Sequence, residues 1–405
     1  MIKFKQEYIK RPTYLDLIKP YIDKDIIKVL IGQRRVGKSF MLFQIMDEIM
    51  SIHKNPNIIY VNKELHDFEN IHNHNDLLDY IESKENKKGK KYIFIDEVQD
   101  IEGFEKALRS LQAKGGYDIY CTGSNAKLLS GELATYLSGR YIEIKIYSLS
   151  YIEFIKFHKL KNDKDSLIKY FKYGGLPYLI NLELNDHIIY DYLKNIYAAI
   201  LFKDIVKRHN VRNINFLENL VRYVAVNTGS LVSSKKISDF LKSQRIQISP
   251  QLVLDYLNHL ESAFFIFKAL RADIIGKKIF EIGEKYYFED LGLRHSIIGY
   301  KANDINKILE NAVYQHLKIS GYHVFVGKSG DKEIDFVCEK SGKKIYVQVT
   351  YLLQDEKTVN REFGNLLGIK DNYPKYVVSM DDAMSGSDFK GIEHFHILDF
   401  LSELK

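Results

Sequence analysis

Residues 26–39, reading IIKVLIGQRRVGKS, restrict the fold of this chain more than any other stretch. An apolar run from Ile26 to Ile31, interrupted only by Lys28, leads into Gly32-Gln33-Arg34-Arg35-Val36-Gly37-Lys38-Ser39. This fits the G-x-x-x-x-G-K-[ST] phosphate loop, and the apolar spacing from Phe40 to Met50 predicts a helix directly after it. Strand, glycine-rich turn and helix suit phosphate for a physical reason. Glycines let the backbone N–H groups turn inward around an anion, and the helix adds its positive end. Lys38 would reach the β- and γ-phosphates, and the Ser39 hydroxyl would hold Mg²⁺.

A second signature lies downstream. Lys91-Tyr-Ile-Phe-Ile-Asp96-Glu97 reads as a buried strand that delivers two carboxylates at its C-terminal end. Ligands of parallel α/β sheets bind beyond that end, so Asp96 is expected in the magnesium shell and Glu97 beside an attacking water. Asp118 to Thr122 reads as another buried strand leading to Gly123-Ser124-Asn125, where Asn125, or alternatively Ser124, could sense a γ-phosphate. With Asn57–Val61 as a further strand and a helix over 76–83, the alternation predicts a parallel sheet covered by helices for residues 1–150. Arg140 precedes the strand Tyr141–Ile146 and is expected near a phosphate edge, its own or a neighbour's.

Composition narrows the class of protein. Of 405 residues, 45% are hydrophobic and 28% charged, which suits a folded chain of several domains. The formal charge of +6, from 59 basic and 53 acidic residues, permits contact with nucleic acid without requiring it. Cys121 and Cys338 stand far apart, so neither a disulfide framework nor a zinc site is expected, and a reducing cytoplasm fits. No apolar run has the length of a membrane span.

Beyond the first domain the spacing turns helical over 151–212, a lid or connector punctuated by Gly174, Gly175 and Pro177. Residues 213–298 hold three helical patterns and two strand-like runs, the order of a winged helix. The third helix opens at Ser249-Pro250, and Lys277 and Lys278 would lie on the wing. The outward positions of that helix, Gln251, Asp255, Asn258, His259 and Glu261, hold no lysine or arginine, so the phosphate attraction that dominates DNA affinity is missing there. Residues 299–405 alternate helix and strand again.

Taken together, GQRRVGKS, FIDEVQD, CTGSNAKLLSGELATYLSGRY and IYSLSYIEF resemble the prokaryotic AAA-type ATPases with a C-terminal domain of unknown function, relatives of the archaeal and STAND ATPases. The resemblance implies ATP and Mg²⁺ as cofactors and an arginine-finger role for Arg140, in cis or from another subunit. It also places Tyr173-Gly-Gly-Leu-Pro177 in a helical lid and Lys203-Asp204 in a bridging helix. Residues 299–405 resemble the restriction-endonuclease-like PD-(D/E)XK fold, with Glu310 and Asp335 at the metal positions. Gln348 stands there for an acid and Thr350 for the lysine, so charge is missing unless a lysine such as Lys328 or Lys357 has migrated in.

The expected fold class is therefore α/β: a P-loop NTPase sheet with a helical lid, then a winged helix and a nuclease-like α/β domain. The expected function is a cytoplasmic Mg-ATP-dependent switch with slow hydrolysis that reports to a protein partner, as a monomer or oligomer. The alternatives are an ATP-gated DNA nuclease acting in defence or DNA processing and a winged-helix DNA-binding regulator.

Overall fold

The computed structural model describes residues 8–85, 89–126, 137, 139–243, 245–274, 279–384 and 386–403. Lys277, Lys278 and most of the segment 127–138 lie outside these. The chain divides into two units, one of residues 1–147 with 262–264 and one of 148–261 with 265–405.

The first unit is built on five parallel strands, β1 (Ile27–Ile31), β2 (Asn57–Asn62), β3 (Lys91–Asp96), β4 (Tyr117–Gly123) and β5 (Tyr141–Lys145), in the order β2-β3-β4-β1-β5. Every residue of β1 and β4 is buried, as the near-continuous apolar runs of a doubly covered parallel sheet require. Around it lie α1 (Pro12–Ile18), α2 (Lys38–Ile52), α3 (His74–Ser83) and α4 (Phe104–Lys114). The registers Asn62↔Asp96 and Ile31↔Gly123 align the strand ends, so the residues that follow β1, β3 and β4 emerge along one edge.

Lys28, the interruption in the first apolar run, is buried in β1 and forms an ion pair with Asp118 of β4. The ammonium also donates to Lys24 O at 2.9 Å, and Asp118 accepts from Tyr120 Oη and from the Asp23 N–H. A buried charge persists only when paired and hydrogen-bonded, and both partners here are.

The second unit begins with α5 (Tyr151–Phe157), α6 (Lys164–Tyr173) and α7 (Asp186–Ala199), the last continued by a π-helical stretch Ile200–Val206. Then come α8 (Ile214–Val226), α9 (Ser234–Ser243) and α10 (Pro250–Ser262), whose Val253, Tyr256, Leu257 and Leu260 are buried as their spacing predicts. The hairpin β6 (Ile266–Asp273) and β7 (Ile279–Phe288) is followed by α11 (Leu291–Ile298) and α12 (Ile305–Ile319). Next are β8 (His323–Ser329), β9 (Lys332–Lys340), β10 (Lys343–Val349) and α13 (Glu356–Leu367), and the chain closes with β11 (Lys375–Ser379), β12 (Asp388–Phe389), β13 (Ile392–His396) and α14 (Ile397–Glu403).

One eight-stranded mixed sheet orders these strands β12-β13-β11-β10-β9-β8-β6-β7. The hairpin assigned to a wing thus pairs with the C-terminal strands through Arg271↔Val326 to Asp273↔Lys328, so one sheet takes strands from both sides of position 298. Phe363 and Leu366 of α13 seal its far side against Ile334, Val337, Tyr346 and Val377.

α11 buries Leu291, Gly292, Leu293, Arg294 and His295 in succession. Arg294 Nε donates to Ala225 O at 2.8 Å and Nη2 to Asp304 at 2.9 Å. His295 Nε2 lies 3.1 Å from Arg294 Nη1, and Nδ1 lies 3.2 Å from Lys172 O. The guanidinium can only donate and the carbonyl only accept, which fixes the neutral tautomer with its proton on Nδ1. Burial, reinforced by Arg294, lowers the His295 pKa from 6.5 to about 3. A depressed histidine contributes stability above the unfolded value and loses it as pH falls. Acidification from pH 7 to 5 should cost this unit about 2 kcal/mol through His295. Urea titration followed by circular dichroism at the two pH values checks this, and His295→Gln should flatten the dependence.

Candidate functional site

The site in the first unit is assembled at the C-terminal edge of the parallel sheet. Gly32 is required there by packing: a Cβ would lie 2.1 Å from Ile146 O. The turn that follows needs left-handed backbone at Arg35 (φ 71°) and Gly37 (φ 95°), after which α2 starts at Lys38. Gln33, Arg34 and Val36 are buried in this loop, and Arg34 Nη1 donates to Glu64 Oε1 at 3.2 Å. Lys38 is 4% exposed, and its Nζ donates to Gly32 O and Gln33 O, each at 3.1 Å. The same ammonium stands 3.9 Å from Glu97 Oε1.

Asp96 closes β3, and its carboxylate takes hydrogen bonds from the Ser39 and Thr122 hydroxyls. Burial, only partly offset by those bonds, raises its pKa. Glu97 turns the chain with φ 55°, held by its N–H donating to Thr122 Oγ1 at 2.9 Å. Burial alone would raise its pKa too, but Lys38, the Gln99 amide and Arg34 together bring it below the usual carboxylate range. Adjacent acids are therefore driven in opposite directions. Asn125, two residues beyond β4, is 6% exposed.

Lys38, Ser39, Asp96 and Glu97 thus meet as their motifs predict. Arg140 does not join them. Its carbonyl accepts the Ile27 N–H at 2.9 Å, which places it where β1 begins, whereas the phosphate loop starts where β1 ends. Five residues of strand separate the two by roughly 17 Å, beyond the reach of one arginine side chain. The expectation that Arg140 serves its own phosphate edge is corrected accordingly: β5 runs parallel to β1, so the residue before it lies at the far edge.

Residues without a motif complete the arrangement. Thr122 couples β4 to both acids. Arg11, 3% exposed, donates from Nη1 to Val36 O (3.2 Å) and Tyr147 O (2.9 Å), while its backbone N–H donates to Gln44 Oε1 at 2.8 Å. The N-terminal segment thereby braces the phosphate loop. A single residue just before a short helix and one inside a strand leave no sequence signal of these contacts.

A second cluster lies within the other unit. Glu310 of α12, Asp335 of β9 and Gln348 of β10 converge there, with Asp335 N–H donating to Gln348 Oε1 at 3.3 Å. At their centre is Lys285 of β7, buried, with Nζ 2.8 Å from Glu310 and from Glu333 and 3.7 Å from Asp335. Tyr287 Oη donates to Glu310 at 2.7 Å, and Gly229 leaves no room for a side chain beside that carboxylate. Burial and the charge of Glu310 raise the Asp335 pKa to about 8 despite Lys285. Among the described residues no group of three or more His, Cys, Asp or Glu side chains is disposed to hold a metal.

Comparison with known proteins places these features in context. Residues 24–155 match the model of an AAA domain, and 164–304 match that of a domain of unknown function. An uncharacterized protein of Haemophilus influenzae is 38% identical over 403 residues, covering 97% of this chain and 98% of its own. An uncharacterized protein of Methanocaldococcus jannaschii is 32% identical over 347 residues, covering 81% of this chain and 75% of its own. Among solved structures, the Aeropyrum pernix ORC1 protein in complex with DNA shares 10% identity at a TM-score of 0.35, covering 73% of this chain and 94% of that one. The Thermotoga maritima RuvB Holliday junction branch migration motor shares 13% at 0.34, covering 64% and 89%. The described residues contain no helix long and apolar enough to cross a membrane.

Proposed function

The chain belongs to a family of AAA-domain P-loop ATPases that includes the Haemophilus influenzae protein, and from this premise we propose that its first unit binds Mg-ATP, hydrolyses it slowly and serves as a nucleotide-controlled switch. The observation that carries the reading is the meeting of Lys38, Ser39, Asp96 and Glu97 at one sheet edge. The donor set suits the ligand. A hydroxyl and a carboxylate are hard oxygen donors of the kind Mg²⁺ takes, and a lysine at the start of a helix suits phosphate.

In this reading the N–H groups of 32–38 and the Lys38 ammonium hold the phosphates, while Ser39 and Asp96 hold the metal ion. Bound Mg²⁺ supplies charge neutralisation to the phosphoryl group. Glu97, an ionised carboxylate at neutral pH, orients a water and accepts its proton at Oε1. Asn125, two residues beyond β4, senses the γ-phosphate in this reading. Arg140, out of reach of its own loop, acts in this reading on the site of a neighbouring copy.

The second unit is read as the reporter to a protein partner. Lys285 favours this over the nuclease alternative, because a monovalent ammonium already sits among the carboxylates where cleavage would call for a divalent ion. The DNA-binding alternative has less support, since the outward positions of α10 carry Gln251, Asp255 and Asn258 rather than cations.

Lys38→Ala is the direct test. Loss of charge-assisted bonds to phosphate should weaken ATP binding by about 10- to 100-fold in calorimetry. Unchanged affinity would move the nucleotide elsewhere.

A further inference from the structure

The chain first passes from the first unit to the second between Tyr147 and Ser148, and it returns to the first unit only for residues 262–264. Segments joining two units are ordinarily exposed and make few contacts. This one is buried throughout: Ile146, Tyr147, Ser148 and Leu149 are each less than a tenth exposed. A polar backbone taken out of water needs partners, and on both sides of the crossing they are specific.

On the first side, Ile146 N–H donates to Ile31 O at 2.7 Å, just before the phosphate loop, and Ile146 O is packed against Gly32. Tyr147 N–H donates to Tyr14 Oη at 3.1 Å. Tyr147 O accepts from the Arg11 Nη1 that also serves Val36 O inside the loop. On the second side, Ser148 N–H donates to Glu289 Oε1 at 2.7 Å, and Gln315 Nε2 donates to Ser148 Oγ at 2.6 Å. Leu149 N–H donates to Gly175 O at 2.7 Å, in a fit where a Cβ on Gly175 would come within 2.4 Å of Leu149 O. Ser148, Glu289 and Gln315 are all at most 2% exposed.

We propose that residues 146–149 form a clamped tether that passes nucleotide occupancy to the second unit, with Arg11 as the positioning residue that joins the phosphate loop to it and Ser148, Glu289 and Gln315 as its receiving end. The inference rests on the nucleotide reading above and adds the route by which the switch is read. A shift of the Val36 carbonyl as the loop closes on phosphate changes what Arg11 can hold at Tyr147 O. The next peptide is locked to Glu289, which precedes α11, and to Gln315 of α12, so the strain is delivered inside the second unit rather than absorbed by a slack linker. A ligand shifts such an equilibrium only through different contacts in the two states, and the shared Arg11 nitrogen supplies that difference.

The test uses the full chain with Mg²⁺ and AMP-PNP, reading affinity by calorimetry and hydrogen exchange by mass spectrometry. Wild type should show nucleotide-dependent exchange at 148–176 and 289–315. Ser148→Ala with Gln315→Leu removes the hydrogen bonds of the Ser148 hydroxyl to Gln315 and to Glu289 O through two near-isosteric changes, leaving the backbone bond from Ser148 N–H to Glu289 in place. It should keep wild-type affinity and wild-type exchange without nucleotide while losing the nucleotide-dependent response at 289–315, which a purely structural role would not do. Ser148→Ala alone serves if the double variant is unstable, with the same direction expected. An undiminished response in the variant, or wild-type binding with no response at 289–315, overturns the tether and leaves the nucleotide site standing. Absence of AMP-PNP binding by wild type would overturn the nucleotide reading and the tether with it.

Discussion

Glu97→Gln should retain ATP affinity near the wild-type value while phosphate release falls by about 10²- to 10⁴-fold, the contribution expected of a positioned general base. The substitution preserves size, keeps an oxygen that can accept from the Gln99 amide, and leaves the backbone N–H on Thr122 untouched. It removes the one property the mechanism needs, a carboxylate that takes a proton. Asp96, one residue earlier, cannot replace it. Its pKa is raised by burial and its oxygens are engaged by Ser39 and Thr122, whereas Glu97 is held ionised by Lys38 and Gln99 against the pull of burial. Paired acids pushed apart in this way mark a division of labour. Calorimetry with ATP and a multiple-turnover phosphate assay separate the outcomes. Undiminished turnover would assign the proton to another group, and loss of binding together with turnover would show that Glu97 chiefly holds Lys38 in place.

The site was legible in the sequence to the extent that its residues follow strands. Gly32, Asp96 and Gly123 each stand at or just past the end of a buried apolar run, and parallel pairing alone brings such ends to one edge. The same rule, applied to the start of β5, places Arg140 at the opposite edge, because a residue before a parallel strand lies away from one after it. Thr122 was not legible, and Arg11, though near the loop in sequence, gave no sign of its particular contacts, since both roles come from tertiary contacts to a loop and to a neighbouring strand.

In the second unit, α11 was illegible for a related reason. Its succession of buried residues, Arg294 and His295 among them, makes no apolar stripe, because it packs on several sides and satisfies its polar groups internally. The pairing of the β6–β7 hairpin with β8 was equally silent, as strand order in a mixed sheet depends on contacts far apart in sequence. Lys285 follows from that pairing. A lysine in β7 reaches Glu310 and Glu333 only because the hairpin joins this sheet, whereas the sequence directed attention to Lys328 and Lys357.

Lys285→Met should therefore be the most damaging single change in the second unit, costing about 3–5 kcal/mol, the usual result of stripping one partner from a buried ion cluster. Methionine fills nearly the same volume, so the loss is electrostatic rather than a cavity. Among the described residues Glu310 would keep Tyr287 as its donor in its confined place beside Gly229, and Glu333 and Asp335 would lose the ammonium they share with it. The effect carries a pH signature. Burial and Glu310 push the Asp335 pKa up to about 8 by opposing its ionisation, and Lys285 restrains that rise. A carboxylate whose folded pKa exceeds its unfolded one binds more protons when native, so stability falls as pH climbs from about 4 to 8. Without Lys285 that window extends upward, and the deficit measured by urea titration should be larger at pH 8 than at pH 6. Adding Glu310→Gln to Lys285→Met should recover part of the loss by removing the most confined charge. A Lys285→Met protein as stable as wild type would mean that the carboxylates need no ammonium, and the divalent-metal reading of Glu310 and Asp335 would regain its ground.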